Sequence, residues 1–179
     1  MENILAYHVN YQEKCDNFIH GNIPLIISED TQYLGRGLYF WWNNGNAQYW
    51  YNDRKRKEPQ EIFCALKCNI LLDKLLDLTN SKIRNKMDKL WLSCKEQARK
   101  AGIKKEAGAQ IDYMLNLAKL DGAFTVCKMH GKYNAPFSTL TEMNSRYMAC
   151  DVREIYCVKD AMAILPPIEE YTEKVCSDE

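Results

Sequence analysis

Two short segments, far apart in the chain, carry side chains that could act on a sugar. A histidine at the end of a strand, as in Tyr7-His8, can hydrogen-bond a sugar hydroxyl through one ring nitrogen. A glutamate at the mouth of an apolar strand, such as Glu154 before residues 155–158, can accept hydrogen bonds from a sugar. Taken alone, His8 would also fit a packed or surface position, and Glu154 would also fit an ordinary strand edge.

A third segment combines glycines with aromatic residues. Gly35-Arg36-Gly37 comes shortly before Tyr39, and Tyr49 follows in the next segment. Glycine permits positive φ and a close approach of the backbone to a ligand. Two tyrosines around one pocket could hold a flat cationic ring by stacking and cation–π attraction. A core strand joined to a helix through aromatic side chains would have the same composition.

The elements that must position these residues are predicted from hydrophobic patterns. Helical spacing of apolar residues predicts one helix from Ser81 to Ala101, ended by Gly102, and another over 107–120. A polar stretch at 133–144 separates the last two strands. Short apolar runs bounded by turn residues predict strands at 5–9, 25–28, 61–70, 71–78, 122–129 and 154–158.

Strands at both ends and helices in the middle favour an α+β fold. The length of 179 residues suits one domain over 1–179, in which 81–120 forms a helical insertion. The 24 basic and 24 acidic residues balance, so the protein as a whole has no electrostatic steering toward polyanions or membranes.

The location of the protein is predicted from its N-terminus and its cysteines. No basic segment followed by an apolar one opens the chain, and no apolar run has the length of a membrane-spanning helix, so we expect a cytoplasmic protein without membrane contact. The eight cysteines are scattered, and several lie in apolar runs, which favours buried free thiols. Cys64 and Cys68 have no nearby second Cys/His pair, so we expect no bound metal.

The ordered set of motifs resembles the His-Tyr-Glu class of ADP-ribosyltransferases, which includes the poly(ADP-ribose) polymerases and diphtheria toxin. Its parts are Tyr-His on the first strand, Gly-x-Gly-Leu-Tyr-Phe at 35–40, an Ala-x-Tyr helix at 47–49, and a Glu-Ile strand at 154–155. The resemblance covers 6–51, loosely 61–79, and 121–167. It implies split antiparallel sheets around an NAD cleft, and it leaves 81–120 without a counterpart.

The resemblance also implies a role for each catalytic position. His8 would hold the adenosine ribose and help orient the carboxamide, while Tyr39 and Tyr49 would flank the nicotinamide. Glu154 would bond the 2′-hydroxyl of the nicotinamide ribose and stabilise positive charge at the anomeric carbon. The residue two before it is Val152, where the Arg-Ser-Glu class has Gln or Glu. This difference argues against that class and its arginine targets.

Further positions would bind NAD through the backbone. Gly35, Arg36 and Gly37 would lie against the dinucleotide. The backbone beside His8 would grip the carboxamide, at Val9, where the family usually has glycine. That departure affects the details of the pocket and leaves the backbone contact possible.

The activity implied is mono-ADP-ribosyl transfer. NAD would be cleaved at its nicotinamide–ribose bond through an oxocarbenium-like state, and ADP-ribose would pass to a macromolecule, either RNA or protein. The basic run 53–57 could touch nucleic-acid phosphates or could be a solvated surface. A small catalytic domain of this kind suggests a toxin of a toxin–antitoxin or phage-defence system, with a neutralising antitoxin protein as partner.

Several alternatives stay open. An NAD glycohydrolase would use the same three residues with water as acceptor. An inactive module that binds NAD or ADP-ribose would keep the pocket without the reaction. The RNA 2′-phosphotransferases have a related fold, but the second histidine and paired arginines are not seen here.

Overall fold

The computed structural model describes residues 2–29, 31–120, 122–132 and 152–171. The polar stretch predicted at 133–144 lies outside these ranges. A short 3₁₀ turn occupies Ala161–Ala163. The strands are β1 (Asn3–Tyr11), β2 (Leu38–Trp41), β3 (Phe63–Leu71), β4 (Leu75–Asp77), β5 (Val126–Lys132), β6 (Val152–Val158) and β7 (Ile164–Glu170). The helices are α1 (Gln12–Ile19), α2 (Asn44–Lys57), α3 (Ser81–Lys100) and α4 (Ala107–Leu117).

The described strands form one mixed sheet in the order β4-β5-β6-β2-β1-β3-β7. Neighbouring strands are antiparallel except for β4 and β5, which run parallel. The pairing of β1 with β2 is confined to Tyr7 opposite Trp41, whereas β1 pairs with β3 along its whole length. The sheet therefore consists of two well-paired halves that meet at a single position. The expected α+β class is confirmed.

Alternation along β2 and β6 assigns their side chains to two apolar layers. Phe40 lies opposite Tyr156, and both belong to the core on the face covered by α1. Tyr39 lies opposite Cys157, and both pack in the core on the other face, against α3 and α4. Because side chains alternate along a strand, the residues of β2 and residues 153–158 of β6 can each be assigned to one of these two faces.

The two helices predicted in the middle of the chain are present. Asn80 caps α3 by accepting hydrogen bonds from the backbone N–H groups of Lys82 and Ile83. Along the apolar stripe of α3, Met87, Cys94 and Ala98 are buried. The last helix ends at Leu117, before the predicted limit of 120, because the chain turns at Lys119 with φ +54°. Both helices pack on the sheet, so the segment 81–120 contributes to the core.

Several strand predictions differ from the structure. The segment 25–28 forms only an isolated bridge from Ser28 to Gly37, and 71–78 forms only the short β4. Helix α1 was not predicted because only Cys15 and Phe18 are buried along it. Strand β7 lies at the sheet edge, the place where a strand tolerates proline, and it contains Pro166 and Pro167.

The six cysteines in the described ranges are free and buried, as the sequence predicted for them. No helix within those ranges combines the length and the apolar character needed to span a bilayer.

Candidate active site

His8 fills the gap where β1 and β2 separate. Its Nδ1 lies 2.7 Å from the carbonyl oxygen of Tyr39, and its Nε2 lies 3.2 Å from the side-chain nitrogen of Asn10. A carbonyl oxygen can only accept, so we assign the ring proton to Nδ1. Nε2 is then an acceptor that receives a hydrogen bond from Asn10. The imidazole thus replaces the strand pairing that β1 and β2 lack beyond Tyr7.

His8 stays neutral in this setting. Burial lowers its pKa from 6.5 to about 4; the hydrogen bond to Tyr39 opposes the shift, and the positive charges of Arg54 and Lys14 add to it. At neutral pH Nε2 therefore stays unprotonated, and a sugar hydroxyl can donate to that atom if it displaces the side-chain amide of Asn10.

Tyr39 is held by the loop that precedes it. Its hydroxyl donates to the carbonyl oxygen of Gly35 at 2.6 Å and accepts from the backbone N–H of Leu34 at 3.0 Å. These bonds fix the ring through the Gly-x-Gly loop. Gly35 has φ +80°, and a Cβ there would overlap the carboxylate of Asp112. The glycine is therefore required by conformation and by space.

The loop is in turn held by α4 and by the residue after β6. Asp112 on α4 accepts from the backbone N–H of Arg36 at 2.8 Å. The Lys159 ammonium binds the same carboxylate at 2.8 Å and also donates to the carbonyl oxygens of Leu34 and Arg36. The N–H of Ala109 donates to the carbonyl of Thr31. Helix α4, in the segment 81–120, thus supports the loop that holds Tyr39 at the edge of β2.

A cavity of about 480 Å³ opens where β1 and β2 part. This volume is typical of small-molecule sites, which span roughly 300–1,000 Å³. Two cations, Lys14 and Arg54, lie in its lining, and Glu29 is the carboxylate found there among the described residues. The aromatic side chains that line it are Tyr11, Tyr33, Tyr39, Trp41 and Trp50.

The structure brings His8, Val9 and Tyr39 together at this cavity. The Gly35–Gly37 loop lies behind Tyr39, and Arg36 reaches the cavity edge through its ion pair with Glu29 at 2.8 Å. Three of the predicted positions therefore line one space, and the glycine loop fixes one of them.

Trp50 lines the cavity, whereas Tyr49 does not. The Trp50 ring stacks on Trp41 with centroids 5.8 Å apart, and Tyr49 meets the edge of Trp50 while 52% of its surface stays exposed. Consecutive residues on a helix point in directions about 100° apart, so α2 contributes Trp50 to the cavity lining instead of the predicted Tyr49.

Glu154 lies on the other face of β6. Ile155 lines the cavity and packs in the same core layer as Cys157. The Glu154 carboxylate instead accepts from the Tyr156 hydroxyl at 2.9 Å and forms an ion pair with Lys128 at 2.9 Å. The structure therefore does not bring Glu154 together with Tyr39, because adjacent strand residues face opposite ways.

The surroundings of Glu154 keep it ionised. Burial alone would raise its pKa, but the hydrogen bonds from Lys128 and Tyr156 outweigh that effect, and the pKa lies below its ordinary value. The imidazole of His130 lies 3.6 Å from the same carboxylate. This arrangement is a partly exposed ion-pair network on the sheet, separate from the cavity lining.

Comparisons of the chain with protein-family models, curated proteins and solved structures find no match. The described residues also contain no cluster of His, Cys, Asp or Glu arranged to hold a metal ion. The case for function therefore rests on the geometry of the cavity and on the resemblance of the motifs.

Sequence reasoning missed several residues that line the cavity, and one residue, Asp112, that supports the glycine loop. Asn10 follows His8 on β1, and the period-two alternation of a strand could have placed it beside the imidazole. Lys14 and Arg54 enter from α1 and α2, so their approach depends on how helices pack on the sheet. Asp112 sits among buried residues on α4, and a carboxylate in that position signals a specific partner.

Proposed function

We propose that the cavity binds NAD and that the protein is a mono-ADP-ribosyltransferase acting on a macromolecule. The observation that carries this proposal is the bond from His8 to the Tyr39 carbonyl, made in the split between the two sheet halves, beside a cavity lined by both residues. A hydrogen-bonding imidazole next to aromatic rings suits a ligand that joins a ribose to a flat ring.

The aromatic rings suit the cationic nicotinamide. Tyr39, Trp41 and Trp50 offer π faces or edges to the same space, and such rings attract a flat cation. Loss of neutral nicotinamide leaves positive charge on the ribose anomeric carbon, and a nearby negative group stabilises that charge. Among the described lining residues Glu29 supplies a carboxylate. Its ion pair with Arg36 offsets part of the negative potential that this carboxylate exerts on the cavity.

The acceptor proposed is RNA or protein. The basic run on α2 gives limited support for RNA, because Arg56 and Lys57 both bind Asp53 and Lys55 binds the carbonyls of Pro59 and Glu61. A toxin role, with a neutralising partner protein, is included in the proposal because the resemblance falls in a small catalytic domain.

One observation favours a second candidate, a module that binds NAD or ADP-ribose without reaction. Ile155 occupies the cavity side of β6, and the Glu154 carboxylate is bonded on the opposite face. With Glu29 paired to Arg36 as the carboxylate in the described lining, the site would keep the aromatic and imidazole contacts for binding. It would lack an unpaired carboxylate to stabilise charge during cleavage.

The test is to incubate the protein with NAD labelled in its adenylate and nicotinamide parts, with separated RNA and protein fractions. Label in one fraction, lost in the Tyr39→Ala variant, supports the transferase. Free nicotinamide without labelled polymer supports a glycohydrolase with water as acceptor. Binding of NAD without nicotinamide release supports the second candidate. Absence of both binding and release in the wild type contradicts the proposal.

A further inference from the structure

Two cations converge on the cavity from different helices. Lys14 extends from α1 and Arg54 from α2, and both belong to the cavity lining. The Lys14 ammonium lies 5.7 Å from the centroid of the Tyr11 ring, and the Arg54 guanidinium lies 5.8 Å from the same centroid. Tyr11 thus fixes a common position for two positive groups beside the end of β1.

Neither cation forms an ion pair within 4 Å with a carboxylate in the part of the chain that the structure describes. Two nearby arginines do form such ion pairs: Arg56 binds Asp53, and Arg36 binds Glu29. Glu58 lies one helical turn after Arg54, but its carboxylate accepts a hydrogen bond from the Tyr11 hydroxyl at 2.7 Å. Glu58 is thus bonded to the tyrosine and to neither cation, and an anion that binds both cations would lower the repulsion between them.

The positive field extends to His8. Both cations lower the pKa of that imidazole, in addition to the larger effect of its burial. The ring therefore stays uncharged beside them and adds no further repulsion. Both cations and the acceptor atom Nε2 line the same cavity. A sugar hydroxyl could therefore bind Nε2 while an attached phosphate binds the cations.

We propose that Lys14 and Arg54 form an anion subsite of this cavity that binds the diphosphate of a nucleotide. The choice of a diphosphate that links two nucleosides rests on the proposed function; the anion site itself rests on the two cations. Arginine matches phosphate oxygens with a planar fork, and lysine adds a point charge. A diphosphate offers oxygens to both at once, which a nucleoside without phosphate cannot do.

The experiment measures binding of three probes to the purified protein: ADP-ribose, inorganic diphosphate and nicotinamide riboside. Lys14→Gln and Arg54→Gln are compared with Arg56→Gln, which removes one charge from the same helix at an exposed position outside the cavity lining. Thermal melting of each variant checks that the fold is retained. Repeating the titrations at higher salt checks that the loss is electrostatic.

We expect Lys14→Gln and Arg54→Gln each to weaken ADP-ribose and diphosphate binding by about 10-fold, since hydrogen bonds to charged groups are the stronger kind. Nicotinamide riboside, a cation without phosphate, should lose no affinity in any variant, and Arg56→Gln should behave as the wild type. Equal binding of ADP-ribose to the wild type and to a folded Lys14→Gln/Arg54→Gln double variant would overturn the subsite.

The two proposals fail separately. If the wild type binds NAD and transfers ADP-ribose but the charge variants change neither ADP-ribose nor diphosphate binding, the anion subsite is overturned and the proposed function stands. If diphosphate and ADP-ribose bind through Lys14 and Arg54 while NAD is neither bound nor cleaved, the anion subsite stands and the proposed function fails. If no phosphate-bearing probe binds the folded wild type, the anion subsite is overturned.

Discussion

Ile155 and Glu154 are consecutive on β6, and only Ile155 lines the cavity. The carboxylate of Glu154 lies on the face of the sheet that carries Tyr156, where it binds the tyrosine hydroxyl and Lys128. Because the glutamate and the lining residue are adjacent in sequence but face opposite ways, Glu154 can have one of two roles. It can act on the substrate, or it can hold strands β5 and β6 together.

The variant Glu154→Gln distinguishes these roles. In this geometry the substitution should leave NAD binding unchanged and should lower the rate of nicotinamide release by less than about 10-fold. Removal of a group that stabilises developing charge typically lowers a rate by about 100–1,000-fold. The measurement is single-turnover release of labelled nicotinamide. Glu29→Gln, which alters the carboxylate in the cavity lining, is the matched comparison. A 100-fold loss in Glu154→Gln, at unchanged NAD affinity and melting temperature, would contradict the observed placement.

The helix α2 provides a second pair of neighbours with different environments. Trp50→Ala should weaken NAD binding by about 10-fold or more, because it removes a ring that lines the cavity and stacks on Trp41. Tyr49→Ala removes a ring that is 52% exposed, and it should leave binding nearly unchanged. Titration with NAD compares the two variants. The reverse order of effects would restore Tyr49 as the ring that contacts nicotinamide.

These neighbouring pairs show what the sequence could predict. Hydrophobic spacing located α3 and α4, and it indicated most strands, because periodicity reports which face of an element is buried. The motifs located His8 and Tyr39, which the structure joins by a hydrogen bond. The side chain that faces the cavity within a motif depends on register, and a shift of one residue exchanges Glu154 for Ile155.

Other features depend on packing between elements distant in the chain. Asp112 supports the glycine loop from a helix that the resemblance did not cover, and no local pattern connects that helix to Arg36. Lys14 and Arg54 meet at Tyr11 only after both helices pack on the sheet. Such contacts are set by topology, so single-sequence reasoning could not predict them.

The glycine loop is tested by two alanine substitutions. Gly35 and Gly102 both have positive φ, at +80° and +72°, so alanine carries a similar backbone cost at each, about 1 kcal/mol. At Gly35 the added Cβ would also overlap the Asp112 carboxylate, whereas nothing lies within 4 Å at Gly102. We expect Gly35→Ala to lower the free energy of unfolding more than Gly102→Ala and to weaken NAD binding. Urea denaturation gives the comparison, and equal losses would show that Asp112 does not crowd Gly35.

The buried imidazole of His8 predicts a specific pH dependence of stability. Its pKa falls from 6.5 in the unfolded chain to about 4 in the folded protein, so between these values the unfolded chain binds more protons. His8 therefore favours folding fully above pH 6.5, and this contribution, on the order of 3 kcal/mol, is lost as pH falls toward 4. In His8→Asn the amide can still donate to the Tyr39 carbonyl, but it does not titrate. The free energy of unfolding, measured in urea from pH 4 to 7.5, should rise more steeply in the wild type than in this variant. Parallel curves would mean that folding does not change the pKa of His8, and burial would then not keep the imidazole neutral between pH 4 and 6.5.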